Sequence, residues 1–155
     1  MKKVLIIAAI TMLIMLAIGC QTSRIPVTKE TFVSKAEEAG YDVQDAIEQV
    51  PANTIDEYLI AVKGGTVIDY QIEFIIAPTA QTAQILYQNN KSTIEEKKGP
   101  VSTEASTTAG NFSYYKLATN GQYYVVSRIE NTLVYIDAPS EYKGAINEFL
   151  AAIGY

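Results

Sequence analysis

The sequence predicts an α+β domain: an antiparallel sheet of about five to six strands with helices packed on one face. Three observations predict it. Two stretches read as β-hairpins, one turning at Gly64-Gly65 and one at Asn120-Gly121. From Ile68 to Ile76 apolar and polar residues alternate with period two, as in a sheet with one core face and one wet face. Three further stretches carry apolar residues at helical spacing and stop at Gly40, Gly99 and Gly154. The resulting order is α-β-β-α-β-β-β-α, and a chain of 155 residues suits one such domain.

The first stretch is not part of that domain. Met1-Lys2-Lys3 is followed by an apolar run from Val4 to Ile18, broken only by Thr11 and closed by Gly19-Cys20. A positive start, an apolar middle and a small residue at the end are the parts of an export signal. As an uncleaved span the run is short, since about 20 apolar residues are needed to cross a bilayer. Its end, Leu16-Ala17-Ile18-Gly19-Cys20, resembles the lipobox of bacterial lipoprotein signal peptides: an aliphatic residue, two small or neutral residues and an invariant cysteine. Ala17 departs from the commonest form, which has leucine there.

That resemblance covers residues 1 to 20. It implies cleavage before Cys20, a diacylglyceryl thioether on its sulfur, and a protein held by lipid at the extracytoplasmic face of the cell membrane. Two acyl chains give stable anchoring, at about 0.8 kcal/mol per buried methylene, where one gives only reversible binding. The expected divisions are therefore a leader at 1–19, a lipidated N-terminus and short tether at 20–27, and a single α+β domain at 28–155. The polar tether from Gln21 to Pro26 reaches at most about 20 Å.

Composition removes several function classes. Without Lys2 and Lys3 of the leader the formal charge falls from −5 to −7, which argues against nucleic acid as a partner and against a polybasic second anchor. There is no histidine, no tryptophan and one cysteine. Disulfides, thiol redox chemistry, most zinc sites and histidine-based triads are excluded with them. No cofactor, metal site or catalytic set is expected, nor an enzyme.

The elements follow in order. Thr28 is a good N-cap, and Val27 with Phe32 makes a hydrophobic staple, so a helix is expected over 28–39 with Gly40 as its stop. Tyr41 to Val50 fits either a strand or a short helix, closed by Pro51-Ala52-Asn53. Tyr58–Lys63 and Thr66–Ala77 form the first hairpin around a two-residue turn. Thr79 caps a second helix with Ala80, Ala83, Tyr87, Asn90 and Ile94 on its stripe, weak and prone to fray at Asn89-Asn90, ending at Gly99-Pro100. Residues 100–111 hold little that could enter a core and read as a mobile loop. Phe112–Thr119 and Gln122–Ile129 flank Asn120-Gly121, which tolerates the positive φ angles of a type I′ turn. A last strand, Leu133–Asp137, precedes a helix capped by Ser140, with Tyr142, Ile146, Phe149, Leu150 and Ile153 on its apolar face.

Two echoes punctuate this order. Ala77-Pro78-Thr79 and Ala138-Pro139-Ser140 each join a strand to a helix, and Gly40-Tyr41 and Gly154-Tyr155 each follow one. The stretch Ser127-Arg128-Ile129-Glu130-Asn131-Thr132-Leu133-Val134-Tyr135 with the Gly-Tyr end is similar to small lipoproteins of unassigned function in Gram-positive bacteria, a resemblance that implies no activity.

Candidate binding residues are few. Eleven tyrosines are the most unusual feature, and Tyr114, Tyr115, Tyr123 and Tyr124 face one another across the Asn120-Gly121 hairpin. In register, Tyr114 and Tyr123 share one face and Tyr115 and Tyr124 the other. They serve either as cross-strand packing or, if a pair is exposed, as a surface for a protein or envelope partner. Arg128, beside Tyr124 and Val126, is either an ion pair with Glu73 or Asp137 or the grip on an acidic ligand group. Asp42, Asp45, Glu48, Asp56 and Glu57 lack calcium-loop spacing and read as a solvated surface. Gly64-Gly65 precedes no helix and is no phosphate loop. The function expected is a membrane-anchored binding or interaction domain, with a small-molecule carrier holding ligand between helix and sheet near Arg128 as the alternative and an enzyme, motivated only by the many carboxylates, ranked third.

Overall fold

The computed structural model describes residues 23–155. The leader, the lipobox at Leu16, Ala17, Ile18 and Gly19, the lipidation site Cys20 and the first tether residues lie outside the described residues. No helix among the described residues is long and apolar enough to cross a membrane.

Helix α1 (Lys29–Glu38) starts as expected, with the Thr28 side chain accepting from the Thr31 amide. It ends at Gly40, where φ is 76° and the Tyr41 amide reaches back to the Ala36 carbonyl at 2.9 Å. The stretch that fitted two readings holds both: strand β1 (Asp42–Asp45) and then a 3₁₀ turn (Ile47–Gln49). Strands β2 (Glu57–Gly64) and β3 (Ile68–Ile76) form the first hairpin. Its turn is longer than the expected two residues, because the register slips at Lys63/Gly64 and Gly64 takes φ 127°. A Cβ there would lie 2.3 Å from the Val67 carbonyl oxygen, so only glycine fits.

Helix α2 (Ala80–Glu95) is capped by Thr79 and runs unbroken through Asn89-Asn90, where fraying was expected. There Asn90 and Thr93 donate back to the Leu86 and Asn89 carbonyls, so the polar side chains stay on the helix. Residues 102–109, expected as a loop, form strand β4 (Ser102–Ala109), paired along its length with β5 (Phe112–Thr119). β4 has a strand on one side only and is almost wholly exposed, so threonine, serine and alanine suffice and no apolar alternation marks it. Strand β6 (Gln122–Ile129) follows through Asn120 (φ 51°) and Gly121 (φ 77°), the anticipated positive pair. Strand β7 (Thr132–Pro139) leads through a 3₁₀ turn (Ser140–Tyr142) into α3 (Lys143–Ala152). Ser140 makes no side-chain cap; its amide donates to the Gly121 carbonyl at 2.8 Å.

The α+β antiparallel class therefore holds, with two corrections. Among the described residues the sheet has seven strands, in spatial order β1-β2-β3-β7-β6-β5-β4, and the element order is α-β-β-β-α-β-β-β-β-α. The helices do not share one face. On one side Phe32 and Ala36 of α1 and Ile146, Phe149 and Leu150 of α3 pack on Leu59, Ile72, Phe74, Val125, Val134 and Ile136. On the other, Tyr87 and Ile94 of α2 cover Tyr115, Leu117, Tyr124, Val126 and Leu133. The central strands β6 and β7 are apolar on both faces, which is why Tyr123 to Val126 and Leu133 to Ile136 read as continuous apolar runs. α2 leaves Tyr58, Ile60, Val62, Gln71, Glu73 and Ile75 half-buried at the β2–β3 end of its face.

Candidate functional site

The four hairpin tyrosines divide between the faces as their register requires: Tyr114 pairs with Ser127 and Ala118 with Tyr123 on one face, Tyr115 with Val126 and Leu117 with Tyr124 on the other. Tyr115 and Tyr124 are buried under α2. Burial, and then the Glu104 carboxylate accepting from it at 3.0 Å, push the Tyr115 hydroxyl up to about 12. These two tyrosines are packing. Tyr123 is also buried, but its hydroxyl end reaches a cleft, and Tyr114 beside it is half-buried.

That cleft, about 280 Å³, lies on the α1–α3 face, between β4–β5–β6 and α3. Asn147 organises it. Its Oδ1 accepts from Tyr123 Oη and from Lys116 Nζ, both at 2.9 Å, while its Nδ2 donates to the Lys143 carbonyl at 2.8 Å. The Lys116 ammonium lies 5.4 Å from the Tyr114 ring centroid, and Lys143 lies 5.5 Å from that of Tyr123. A smaller hollow of about 120 Å³ shares Tyr114 and Lys116 and continues to Arg24, Phe112 and Tyr155.

Arg24 belongs to the end of the expected tether, and it is docked. Its amide donates to Asn111 Oδ1 at 2.9 Å and its carbonyl accepts from Asn111 Nδ2 at 2.8 Å. Its guanidinium lies 3.5 Å over the Phe112 ring and donates to the Gly154 carbonyl. Among the described residues none of Arg24, Lys116 and Lys143 has a carboxylate within 4.0 Å, whereas Lys29, Lys35, Lys91 and Lys98 do. Glu104 stands at the rim, but its carboxylate is held by Lys98 and Tyr115 on the opposite face of the sheet.

Arg128 is placed differently from either expectation. It is 7 % exposed under α2, its guanidinium donates to the Glu130 carbonyl at 2.8 Å, and its Nε has no partner. Neither Glu73, which accepts from Tyr58, nor Asp137 pairs with it. It lines neither the cleft at Asn147 nor the hollow beside it. A second cleft of about 380 Å³, between the ends of α1 and α3, contains Lys63, Tyr41 and Tyr70. Most of its polar groups are spent on one another: Lys63 Nζ donates to the Ala39 carbonyl at 2.6 Å, the two tyrosine hydroxyls are 2.7 Å apart and Lys35 pairs with Glu38, which leaves the Glu148 carboxylate of its lining. The acidic stretch forms no group able to hold a metal among the described residues, and Lys29 bridges Asp45 and Glu57.

Sequence reasoning located Tyr114 and Tyr123 but not Lys116, Lys143, Asn147 or Arg24. Lys116 carried a readable signal, a lone cation at a core-facing position of a strand between Tyr114 and Ala118. Lys143 and Asn147 are one helical turn apart and showed that α3 has a polar edge, without showing what it faces.

No family model matches the chain, and no curated protein matches it. Two solved structures align with most of the chain. A GTP-binding regulator from Thermotoga maritima aligns with a TM-score of 0.46 at 16 % identity, over 82 % of this chain and 84 % of that one. The extracellular domain of PknH from Mycobacterium tuberculosis aligns with a TM-score of 0.43 at 11 % identity, over 84 % of this chain and 96 % of that one. At these values neither likeness says what this chain binds or does.

Proposed function

We propose that the chain is a lipid-anchored, extracytoplasmic binding domain that engages its partner through the cleft between β5 and α3. The observation that carries the reading is the set of polar groups converging there: Tyr114, Lys116, Tyr123 and Asn147 around one hollow, with Lys143 at its mouth. The lipobox-like leader supplies the anchor, and the partner is then an envelope component or a protein near the bilayer. Only Gln21, Thr22 and Ser23 separate Cys20 from the docked Arg24, a reach of about 14 Å. The sheet end carrying Asn111, Glu130 and Gly154 would therefore face the membrane, with the cleft rising from it along β5.

A small-molecule carrier is the second reading. It is favoured by the position of the cleft between a helix and the sheet, although on the face opposite Arg128, and by a volume near the lower end of ligand pockets.

A photoreactive phenylalanine analogue placed at Tyr114 tests the main reading. Irradiated on membranes, the full chain should form an adduct from position 114 and none from Val67, which is exposed in the turn at the other end of the sheet. Equal labelling from both positions, or none from 114, would remove the cleft as the binding surface.

A further inference from the structure

We infer that the β5–α3 cleft takes a phosphate group, gripped by Lys116 and Lys143 with Arg24 at the membrane-proximal end and the Tyr114 ring as one wall. The inference rests on that cleft being the binding site and names its ligand chemistry.

Three observations carry it. The first is unbalanced charge: three cations meet in two adjoining hollows that share Tyr114 and Lys116, with no carboxylate paired to any of them among the described residues. The chain as a whole is acidic, with a net charge of −5, so this is a local reversal of its field. A single carboxylate offers one negative charge and two oxygens to three cations. Inorganic phosphate or a phosphate monoester, with close to two negative charges and three or more oxygens, matches them better, whereas a phosphodiester headgroup brings one charge and so balances them less fully.

The second is preorganisation. Asn147 Oδ1 holds one proton of the Lys116 ammonium at 2.9 Å, and Asn147 itself is fixed by the Lys143 carbonyl and Tyr123 Oη. An ammonium has three donors, so two remain for a ligand while the side chain is already in place. The third is the cost of the empty state. Burial, and then the neighbouring charges of Lys143 and Arg24, hold the Lys116 ammonium below its ordinary value, so its charged form lacks a compensating anion. A bound phosphate supplies it.

Phosphate could reach the cleft from a phospholipid headgroup, since Arg24 is four residues beyond Cys20, or from a soluble phosphate compound. The test uses the full lipidated chain in phosphate-free maltoside micelles, titrated with inorganic phosphate and read by tyrosine fluorescence. A parallel series places the chain in phosphate-free glycolipid vesicles with and without phosphatidylglycerol. A saturable response is expected, weakened about tenfold or more by Lys116→Gln and by Lys143→Gln, in line with the loss of a charge-assisted bond. Both variants should keep the wild-type far-ultraviolet circular dichroism.

A response confined to phosphatidylglycerol vesicles assigns the phosphate to a lipid headgroup, and a response to inorganic phosphate assigns it to a soluble source. No response to either probe, or one that both lysine variants retain, overturns the inference. Should Lys116→Gln unfold the protein, Lys143→Gln, on the exposed first turn of α3, decides the matter alone. An adduct from position 114 without any phosphate response leaves the cleft as the binding surface and removes phosphate as its ligand. Absence of both removes both.

Discussion

Lys63 shows how one side chain can close a helix from another element. Its ammonium donates to the Ala39 and Gly40 carbonyls, at 2.6 and 3.3 Å, and so neutralises the negative end of α1 from strand β2. The same cation lies 4.9 Å from the Tyr41 ring centroid. Lys63→Met keeps the stem and removes the charge; thermal unfolding should show a loss of about 1 kcal/mol, and an unchanged midpoint would make the contact incidental. None of this was legible in the sequence, where Lys63 was the last residue before a turn. By contrast the caps at Thr28 and Thr79 and the stop at Gly40 were legible, because they depend only on residues within one helical turn. The Gly-Tyr echo has the same local origin: the Tyr41 and Tyr155 amides reach back to the Ala36 and Leu150 carbonyls in the same way. Lys116 and Asn147 meet across 31 residues of chain, and no local pattern reports such a contact.

Among the elements, β4 is the one the sequence concealed. It contributes no side chain to either core, and its place depends on backbone pairing with β5 and on Glu104, which accepts from Tyr115 and pairs with Lys98 at 3.0 Å. Hydrogen bonding to Lys98, then to Tyr115, holds the Glu104 carboxyl below its ordinary 4.5. Because the folded value lies below the unfolded one, the stabilisation is present above pH 4.5 and lost as pH falls through the folded value. Amide exchange in β4 should therefore quicken, relative to β6, as the solution is acidified past that point, and Glu104→Gln should show the faster exchange already at neutral pH. Equal protection of β4 at both ends of the range would mean that pairing alone holds it. Helix α2 was legible as a helix but its side of the sheet was not, since an apolar stripe does not say which face of a sheet it will cover. The pattern available was the doubly apolar run in β6 and β7, which calls for cover on both sides.

At the scale of the whole molecule, the proposed anchor and the proposed cleft are connected through Arg24. Arg24, a residue of the tether, also lines the hollow next to Tyr114 and Lys116, so chain attachment and ligand site would share one end of the sheet. The α+β class and the hairpin at Asn120-Gly121 were legible because they depend on period and turn chemistry; the cleft was not, because it needs β5, α3 and the tether brought together. The anchor is the most direct thing to measure. Protein extracted from membranes and weighed intact should begin at Cys20 and carry a diacylglyceryl group, and the Cys20→Ser chain should leave the membrane fraction. A chain that begins elsewhere, or a processed Cys20→Ser chain that stays with the membrane without lipid, would contradict the reading of this protein as a lipid-anchored domain.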